Sequence, residues 1–130
     1  MRTYCHCFFG LGDRGVLAFF QFADRKDQSK FSLHSGDALH HIALKVDKGT
    51  QEAIEKRIKV AGYKKSDTFV LEHGYCRSLY IKDPNGLILE FTLDAPNADQ
   101  IAKDRRADAR ATLARWLQGD HTSPRYLRPW

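Results

Sequence analysis

The sequence predicts an α+β fold, and three patterns in its central third carry this prediction. Residues 39–46 alternate between apolar and other side chains, with the period of two that is typical of a strand buried on one face. Residues 50–61 place apolar side chains three and four positions apart, which predicts a helix. The sequence Asp-Pro-Asn-Gly at residues 83–86 separates two more alternating segments, and a turn of this composition predicts a β-hairpin.

The N-terminal part of the chain predicts a second hairpin. Residues 3–9 are interpreted as a strand, residues 10–15 as a glycine-containing turn, and residues 16–22 as the returning strand. Residues 26–37 are mostly polar, and we expect them to form a mobile connection to the central part of the chain.

The first central strand and the helix after it are expected to pack together. Thr50 is the expected N-cap of the helix, and Gly62 follows its last residue. The apolar stripe of the helix should cover the apolar face of the strand, which leaves His41 on the opposite face. The apolar set consists of Ile42, Leu44 and Val46 on the strand and Ala53, Ile54, Ile58 and Ala61 on the helix.

The two arms of the predicted 83–86 hairpin place polar side chains on the face that the helix does not cover. Tyr80 lies opposite the aliphatic set of the first arm, and Glu90 opposite that of the second. His41, Tyr80 and Glu90 should therefore project from one face of one sheet. Because an imidazole or a carboxylate is costly to bury without a partner, this face is the candidate functional face. A preceding strand around residues 69–71 and a bend at residues 72–74 are also predicted.

The C-terminal part predicts a helix over residues 98–118, ended by Gly119. We expect this helix and the tail of residues 120–130 to pack on a sheet edge or on a partner subunit. The apolar stripe of the helix consists of Ile101, Ala109, Leu113, Trp116 and Leu117.

Composition excludes several classes of protein. With 130 residues, 42% of them apolar and 28% charged, the chain is expected to form one globular domain. It has no apolar run of membrane-spanning length and no secretory signal, so we expect a cytoplasmic protein without a membrane partner. The net charge of +5 comes from basic residues mixed with acidic ones, which favours a solvated surface over a nucleic-acid site. The odd count of three cysteines argues against a disulfide framework, and Cys5 and Cys7 are interpreted as strand thiols.

The central part resembles one module of the vicinal oxygen chelate superfamily. The resemblance rests on the order strand, helix, strand, strand, strand, with His41 in the first strand and Glu90 in the last, after the segment Tyr-x-x-Asp-Pro-Asn-Gly. That superfamily includes glyoxalase I, type I extradiol dioxygenases, fosfomycin and bleomycin resistance proteins, and methylmalonyl-CoA epimerase. Its members pair two βαβββ modules into an open, cup-shaped sheet, and the metal-binding members hold a divalent ion at the floor of the cup.

The resemblance implies a single domain in four parts. Residues 1–24 match the end of a first module that lacks its opening strand and helix, and residues 25–38 are the linker. Residues 39–95 form a complete second module, and residues 96–130 add a C-terminal helix and tail. Because the opening strand usually carries another metal ligand, a third ligand is expected to be missing or to come from another chain. We therefore expect a homodimer.

The resemblance also implies roles for four residues. His41 and Glu90 correspond to metal ligands for a divalent ion, with Fe(II) favoured and Mn, Zn or Ni as alternatives. Tyr80 and His73 match residues that, in extradiol dioxygenases, hydrogen-bond the substrate oxygen and act as acid or base. Alternatively, Tyr80 is an aromatic residue of the strand whose hydroxyl lies at the rim of the cup. His73 is alternatively a loop residue without a catalytic role. Gln21 is two positions out of register with Glu90 when the two hairpins are aligned, so we interpret it as a polar residue of the cup wall or rim.

The expected function is that of a metal-dependent enzyme with extradiol dioxygenase-like chemistry on a small molecule chelated through two adjacent oxygens. A lyase or isomerase of the glyoxalase type is one alternative. A non-catalytic protein that binds a small molecule, as the bleomycin resistance proteins do, is the other.

Overall fold

The computed structural model describes residues 2–31 and 40–122, and it has the mixed α+β composition that the sequence predicts. These residues belong to two compact units, one within Met1–Gly36 and one within Asp37–Trp130. The first unit contains two strands and a short helix, and the second contains a four-stranded sheet and two helices.

The first unit is built on an antiparallel ribbon of β1 (Tyr4–Gly10) and β2 (Val16–Phe22). This is the hairpin predicted from the sequence. A turn joins the strands, and the backbone N–H of Gly15 donates to Asp13 Oδ1 at 2.8 Å within it. One face of the ribbon is aromatic, and the His6 ring stacks on Phe20 with a centroid distance of 4.0 Å.

The segment after β2 differs from the prediction, because α1 (Arg25–Phe31) occupies the start of the expected mobile connection. Asp24 provides the physical reason. Its Oδ1 accepts from the backbone N–H groups of Lys26 and Asp27 at 2.8 and 3.0 Å, which satisfies two free donors of a helix N-terminus. The rest of the predicted connection, residues 32–37, lies outside the described residues.

The second unit is a sheet with the strand order β3-β6-β5-β4. Its strands are β3 (His41–Lys45), β4 (Thr68–Glu72), β5 (Cys76–Lys82) and β6 (Ile88–Asp94). The pair β3 and β6 is parallel, whereas the β6–β5 and β5–β4 pairs are antiparallel.

The predicted hairpin at residues 83–86 is confirmed as the connection between β5 and β6. Asp83 Oδ1 accepts from the backbone N–H groups of Asn85 and Leu87, both at 2.8 Å. Gly86 has a φ of +91°, a conformation that a side chain would resist. The turn therefore fixes the register of the two arms.

The central helix α2 (Lys48–Val60) begins before the predicted start, and Asp47 rather than Thr50 is its N-cap. Asp47 Oδ1 accepts from the backbone N–H of Thr50 at 2.7 Å, and this hydrogen bond holds the pKa of the Asp47 carboxyl below its ordinary value. The prediction that Thr50 is the N-cap was wrong. Asp47 precedes the first helical residue, and its carboxylate is a stronger acceptor for the third helical N–H, which is that of Thr50.

Gln51 fixes α2 on the sheet. Its side chain is 1% exposed, and its Nε2 donates to the carbonyl oxygens of Arg77 and Phe91 at 3.0 and 2.8 Å. Its Oε1 accepts from Arg77 Nη1 at 2.7 Å. The helix therefore covers the sheet face that carries Arg77 and Phe91, as predicted for the apolar face, and leaves the opposite face for other side chains.

The last helix, α3 (Ala98–Leu117), matches the prediction in extent, and Gly119 follows it with a φ of +89°. Leu113, Trp116 and Leu117 are exposed at its C-terminal end, so packing of this end on a partner subunit stays a prediction. The tail from residue 123 onward lies outside the described residues. None of the helices in the described part of the chain is long and apolar enough to cross a membrane.

Candidate functional site

The strand register confirms that His41, Tyr80 and Glu90 share the sheet face opposite α2. Tyr80 on β5 lies directly opposite Glu90 on β6, and Glu90 lies opposite Ala43 on β3. His41 is two residues before Ala43 on the same strand, so its side chain is on the same face. Glu90 thus stands on an interior strand between the strand of the imidazole and the strand of the phenol.

Glu90 and His41 form a close pair. Glu90 is 5% exposed, and its Oε2 lies 2.8 Å from His41 Nε2. The His41 side chain is 36% exposed, so one side of the pair is open to solvent while the carboxylate is buried. The imidazole is therefore the partner that the buried carboxylate requires.

Tyr80 retains its proton over the whole physiological pH range. Burial, followed by a hydrogen bond and charge repulsion from Glu90, raises the pKa of Tyr80 to about 12. Its ring stacks on Phe69 with a centroid distance of 4.8 Å and an interplanar angle of 17°. The hydroxyl and the Glu90 carboxyl group are neighbours across the β5–β6 pair.

His73 joins this group from the bend between β4 and β5. Gly74 has a φ of +82°, and the backbone N–H of His73 donates to the Cys76 carbonyl at 2.9 Å, which closes a tight turn. The turn brings His73 Nε2 to 3.2 Å from the Tyr80 hydroxyl. The direction of this hydrogen bond depends on the tautomer of the His73 ring. Close contacts therefore connect the four residues in the order His73, Tyr80, Glu90, His41.

The geometry of His41 and Glu90 fits two neighbouring positions around a divalent ion. With metal–ligand bonds of about 2.1 Å at right angles, two ligand atoms lie about 3 Å apart. The 2.8 Å between His41 Nε2 and Glu90 Oε2 is close to this value. An imidazole nitrogen and a carboxylate oxygen also form a donor set that iron, manganese, zinc and nickel accept.

A third ligand is not present in the part of the chain that the structure describes. Residues 2–31 and 40–122 contain no group of three or more His, Cys, Asp or Glu side chains that could hold a metal ion. Gln21 lies on β2 in the first unit, opposite Cys5. The second unit therefore offers two candidate ligand atoms, those of His41 and Glu90.

Sequence reasoning missed two further residues near this face, Tyr75 and Arg105. The guanidinium carbon of Arg105 on α3 lies 4.4 Å from the centroid of the Tyr75 ring. That ring is 5.7 Å from the His73 ring, and burial raises the pKa of the Tyr75 hydroxyl. The available signal was the position of Arg105 in the apolar stripe of α3, four residues after Ile101 and four before Ala109.

The arrangement can bind and orient a small polar molecule. It combines a solvent-accessible imidazole, a buried carboxylate and a phenol that acts only as a neutral donor or acceptor. The second imidazole, that of His73, lies within hydrogen-bonding distance of that phenol. Comparison with known proteins does not assign the chemistry, since no family model, curated protein or solved structure matches the chain.

Proposed function

We propose that the protein is a metal-dependent enzyme of the vicinal oxygen chelate type that acts on a small molecule with two adjacent oxygens. The observation that carries this proposal is the 2.8 Å contact between His41 Nε2 and Glu90 Oε2 on the face opposite α2. The element order β3, α2, β4, β5, β6 supports it, because it is the βαβββ order on which the resemblance depends.

The proposal includes a cup completed by pairing of modules in a cytoplasmic homodimer. Two ligand atoms in the second unit leave the metal site to be completed by another group. Exposed aromatic rings on the first unit support association with a second copy, because large exposed apolar surfaces commonly mark protein interfaces. The three free cysteines are in keeping with a reducing compartment.

In this proposal His41 and Glu90 hold the divalent ion, with Fe(II) favoured and Mn, Zn or Ni as alternatives. When bound, the ion supplies Lewis-acid chemistry and, in the case of iron, redox chemistry. Tyr80 donates a hydrogen bond to a substrate oxygen, and the protein environment that opposes its ionisation keeps that proton in place. His73, in contact with the same hydroxyl, gives or takes a proton as the substrate changes charge.

The test is the metal content of protein purified without added metal, measured by elemental analysis beside Glu90→Gln and His41→Ala variants. We expect near-stoichiometric metal in the parent protein and loss of most of it in both variants. Glu52→Gln and His121→Ala are the matched controls. Glu52 is an exposed glutamate on α2, and His121 follows α3 and contacts Trp116. Both control variants should therefore retain the metal. Glu90→Gln preserves the side-chain volume, and its unfolding curve separates metal loss from misfolding.

The same preparation tests the reaction class. Oxygen uptake with a catechol supports the extradiol dioxygenase-like reaction. Metal-loaded protein that consumes no oxygen supports the glyoxalase-type lyase or isomerase. Protein without metal that also takes up no Fe(II), Mn(II), Zn(II) or Ni(II) contradicts the proposal.

One observation favours a second candidate function, the metal-free binding of a small molecule. Within the described residues, every buried side-chain nitrogen and oxygen has a hydrogen-bond partner. His41 Nε2 and Glu90 Oε2 are partners of each other at 2.8 Å, so the buried carboxylate has a partner without an ion. A protein that binds no metal but does bind an aromatic ligand on the Phe69 and Tyr80 rings would establish this function.

A further inference from the structure

Cys5 and Cys7 form a pair of exposed thiols on the first unit. Both lie on β1, two residues apart, so their side chains are on the same face of the ribbon. Residues two apart on a strand have Cα atoms about 6.6 Å apart, at about 3.3 Å per residue. The two Sγ atoms are only 3.6 Å apart, so the side chains converge above the strand. The strand accounts for their common face, and the convergence is an additional feature.

The distance between the two sulfurs matches one edge of a tetrahedral thiolate site. With Zn–S bonds of about 2.3 Å at tetrahedral angles, two sulfurs lie about 3.8 Å apart. A linear two-coordinate site with the same bond length would hold them about 4.6 Å apart. The observed 3.6 Å is close to the tetrahedral value and well short of the linear one. Thiolates in a tetrahedral arrangement are typical ligands of zinc.

The two thiols are half of the ligand set that such a site needs, because structural zinc is almost always four-coordinate. Within residues 2–31 and 40–122, no group of three or more His, Cys, Asp or Glu side chains could hold a metal ion. His6, between the two cysteines, is on the other face of β1, where its ring stacks on Phe20. A complete site needs two more ligands, and a second copy of the chain offers the same pair.

The surface around the thiols suits contact with a second copy. None of the six side chains on this face of the two strands is charged, so two such faces can approach without charge repulsion. A two-fold axis through the metal would bring each thiol pair against its own copy, and two pairs crossed at right angles give a tetrahedron. Besides the two cysteines, the face carries Phe9, Leu17, Phe19 and Gln21.

We propose that Cys5 and Cys7 are half of a structural zinc site, which two copies of the chain complete with two thiolates each. Each thiol gives its proton to the solvent when Zn(II) binds, and no electron is transferred. The ion links the first units of the two chains. This site uses neither His41 nor Glu90, so it goes beyond the proposed function and does not depend on it.

The test uses Co(II) as a probe, because it occupies tetrahedral zinc sites and its absorption reveals thiolate ligands. The reduced, metal-free full chain is titrated with Co(II). We expect the thiolate-to-metal absorption to reach its maximum at one ion per two chains, and Zn(II) to abolish it. At that point four thiols per ion should be protected from an alkylating reagent. Peptide mapping of the alkylated parent protein should identify them as Cys5 and Cys7 without any substitution.

The double variant Cys5→Ser/Cys7→Ser should lose the absorption. Both positions are exposed, so we expect it to fold, and its circular dichroism spectrum checks this. Cys76→Ser and His6→Phe are the matched controls, since Cys76 is buried on β5 and His6 faces away from the thiols. Both controls, and also Glu90→Gln, should keep the absorption.

Three results would overturn the inference. A maximum at one ion per chain, with two thiols protected per ion, would mean that each chain completes its own site. Absence of thiolate absorption in the parent protein would mean that the pair binds no metal. Persistence of the absorption in the double variant, or protection of Cys76 alone, would place the ligands elsewhere. None of these results affects the proposed function of His41 and Glu90, because neither residue supplies a thiolate.

Discussion

Replacement of Gln51 by methionine should destabilise the protein strongly, although the side chain lies on α2, behind the candidate site. Methionine preserves the length of the side chain and its helix propensity but removes all three hydrogen bonds of the amide. Those bonds join α2 to the carbonyl oxygens of Arg77 and Phe91 and to the Arg77 guanidinium.

The size of the expected destabilisation follows from the hydrogen-bond partners that Gln51 loses. Two bonds to neutral carbonyls are worth about 1 kcal/mol each, and the bond from the charged guanidinium about 1.5–3 kcal/mol. Arg77 keeps its ion pairs with Glu55 and Glu72, and the methionine gains some apolar burial, so part of the loss is recovered. We expect the free energy of unfolding to fall by about 3 kcal/mol.

Urea denaturation followed by circular dichroism measures this quantity. With a slope of about 2 kcal/mol per molar urea, the midpoint should fall by about 1.5 M at unchanged slope. Gln100→Met is the control, because Gln100 is an exposed glutamine on α3 that donates to Asp104 Oδ1 at 2.8 Å. Its variant should change stability by less than about 0.5 kcal/mol. Equal midpoints for Gln51→Met and the parent protein would refute the reasoning.

Two further predictions concern the ionisation of Tyr80 and the backbone of two glycines. Because the pKa of Tyr80 is raised to about 12 in the folded protein, its contribution to stability is complete below pH 10 and is lost as the pH rises from 10 to 12. A Tyr80→Phe variant should therefore show a smaller loss of stability over this range than the parent protein, and an identical loss would count against the assignment. Gly86→Ala should lower the unfolding free energy by about 1–2 kcal/mol, because Gly86 has a φ of +91°. Gly49→Ala, inside α2 and with only ordinary contact to Asp47 Oδ1, should raise it by about 0.5 kcal/mol, and urea midpoints that moved in the same direction for both variants would contradict this argument.

The elements that were predictable from the sequence are those with a strong period or a diagnostic turn. The alternation around His41 and Glu90 fixed which face each side chain takes, because a strand has only two faces. The turn at residues 83–86 then predicts that Tyr80 lies opposite Glu90 on the neighbouring strand, and the observed β5–β6 register has this pairing. The alternation of side chains along the strands was thus enough to predict that three of the four candidate residues share one face.

The parts that escaped prediction depend on interactions that a period cannot represent. Asp24 and Asp47 each determine where a helix starts through one carboxylate oxygen, and α1 has too few apolar residues to show a stripe. Gln51 was placed on α2, yet its burial arises from carbonyl oxygens on two strands that are distant in sequence. Arg105 was visible as a charge inside an apolar stripe, but only the packing of α3 reveals Tyr75 as its partner.

The parallel pairing of β3 with β6 is the step that creates the candidate site. It places β6 between the strand of His41 and the strand of Tyr80, so that Glu90 contacts an imidazole from one side and a phenol from the other. Because α2 occupies the opposite face through Gln51, these ionisable groups share the face that α2 leaves uncovered. One sheet supplies two candidate ligand atoms and a proton-retaining phenol in this way. A site that needs a third ligand must then obtain it from outside this set of strands, which is why metal content is the measurement that best separates an enzyme from a binding protein.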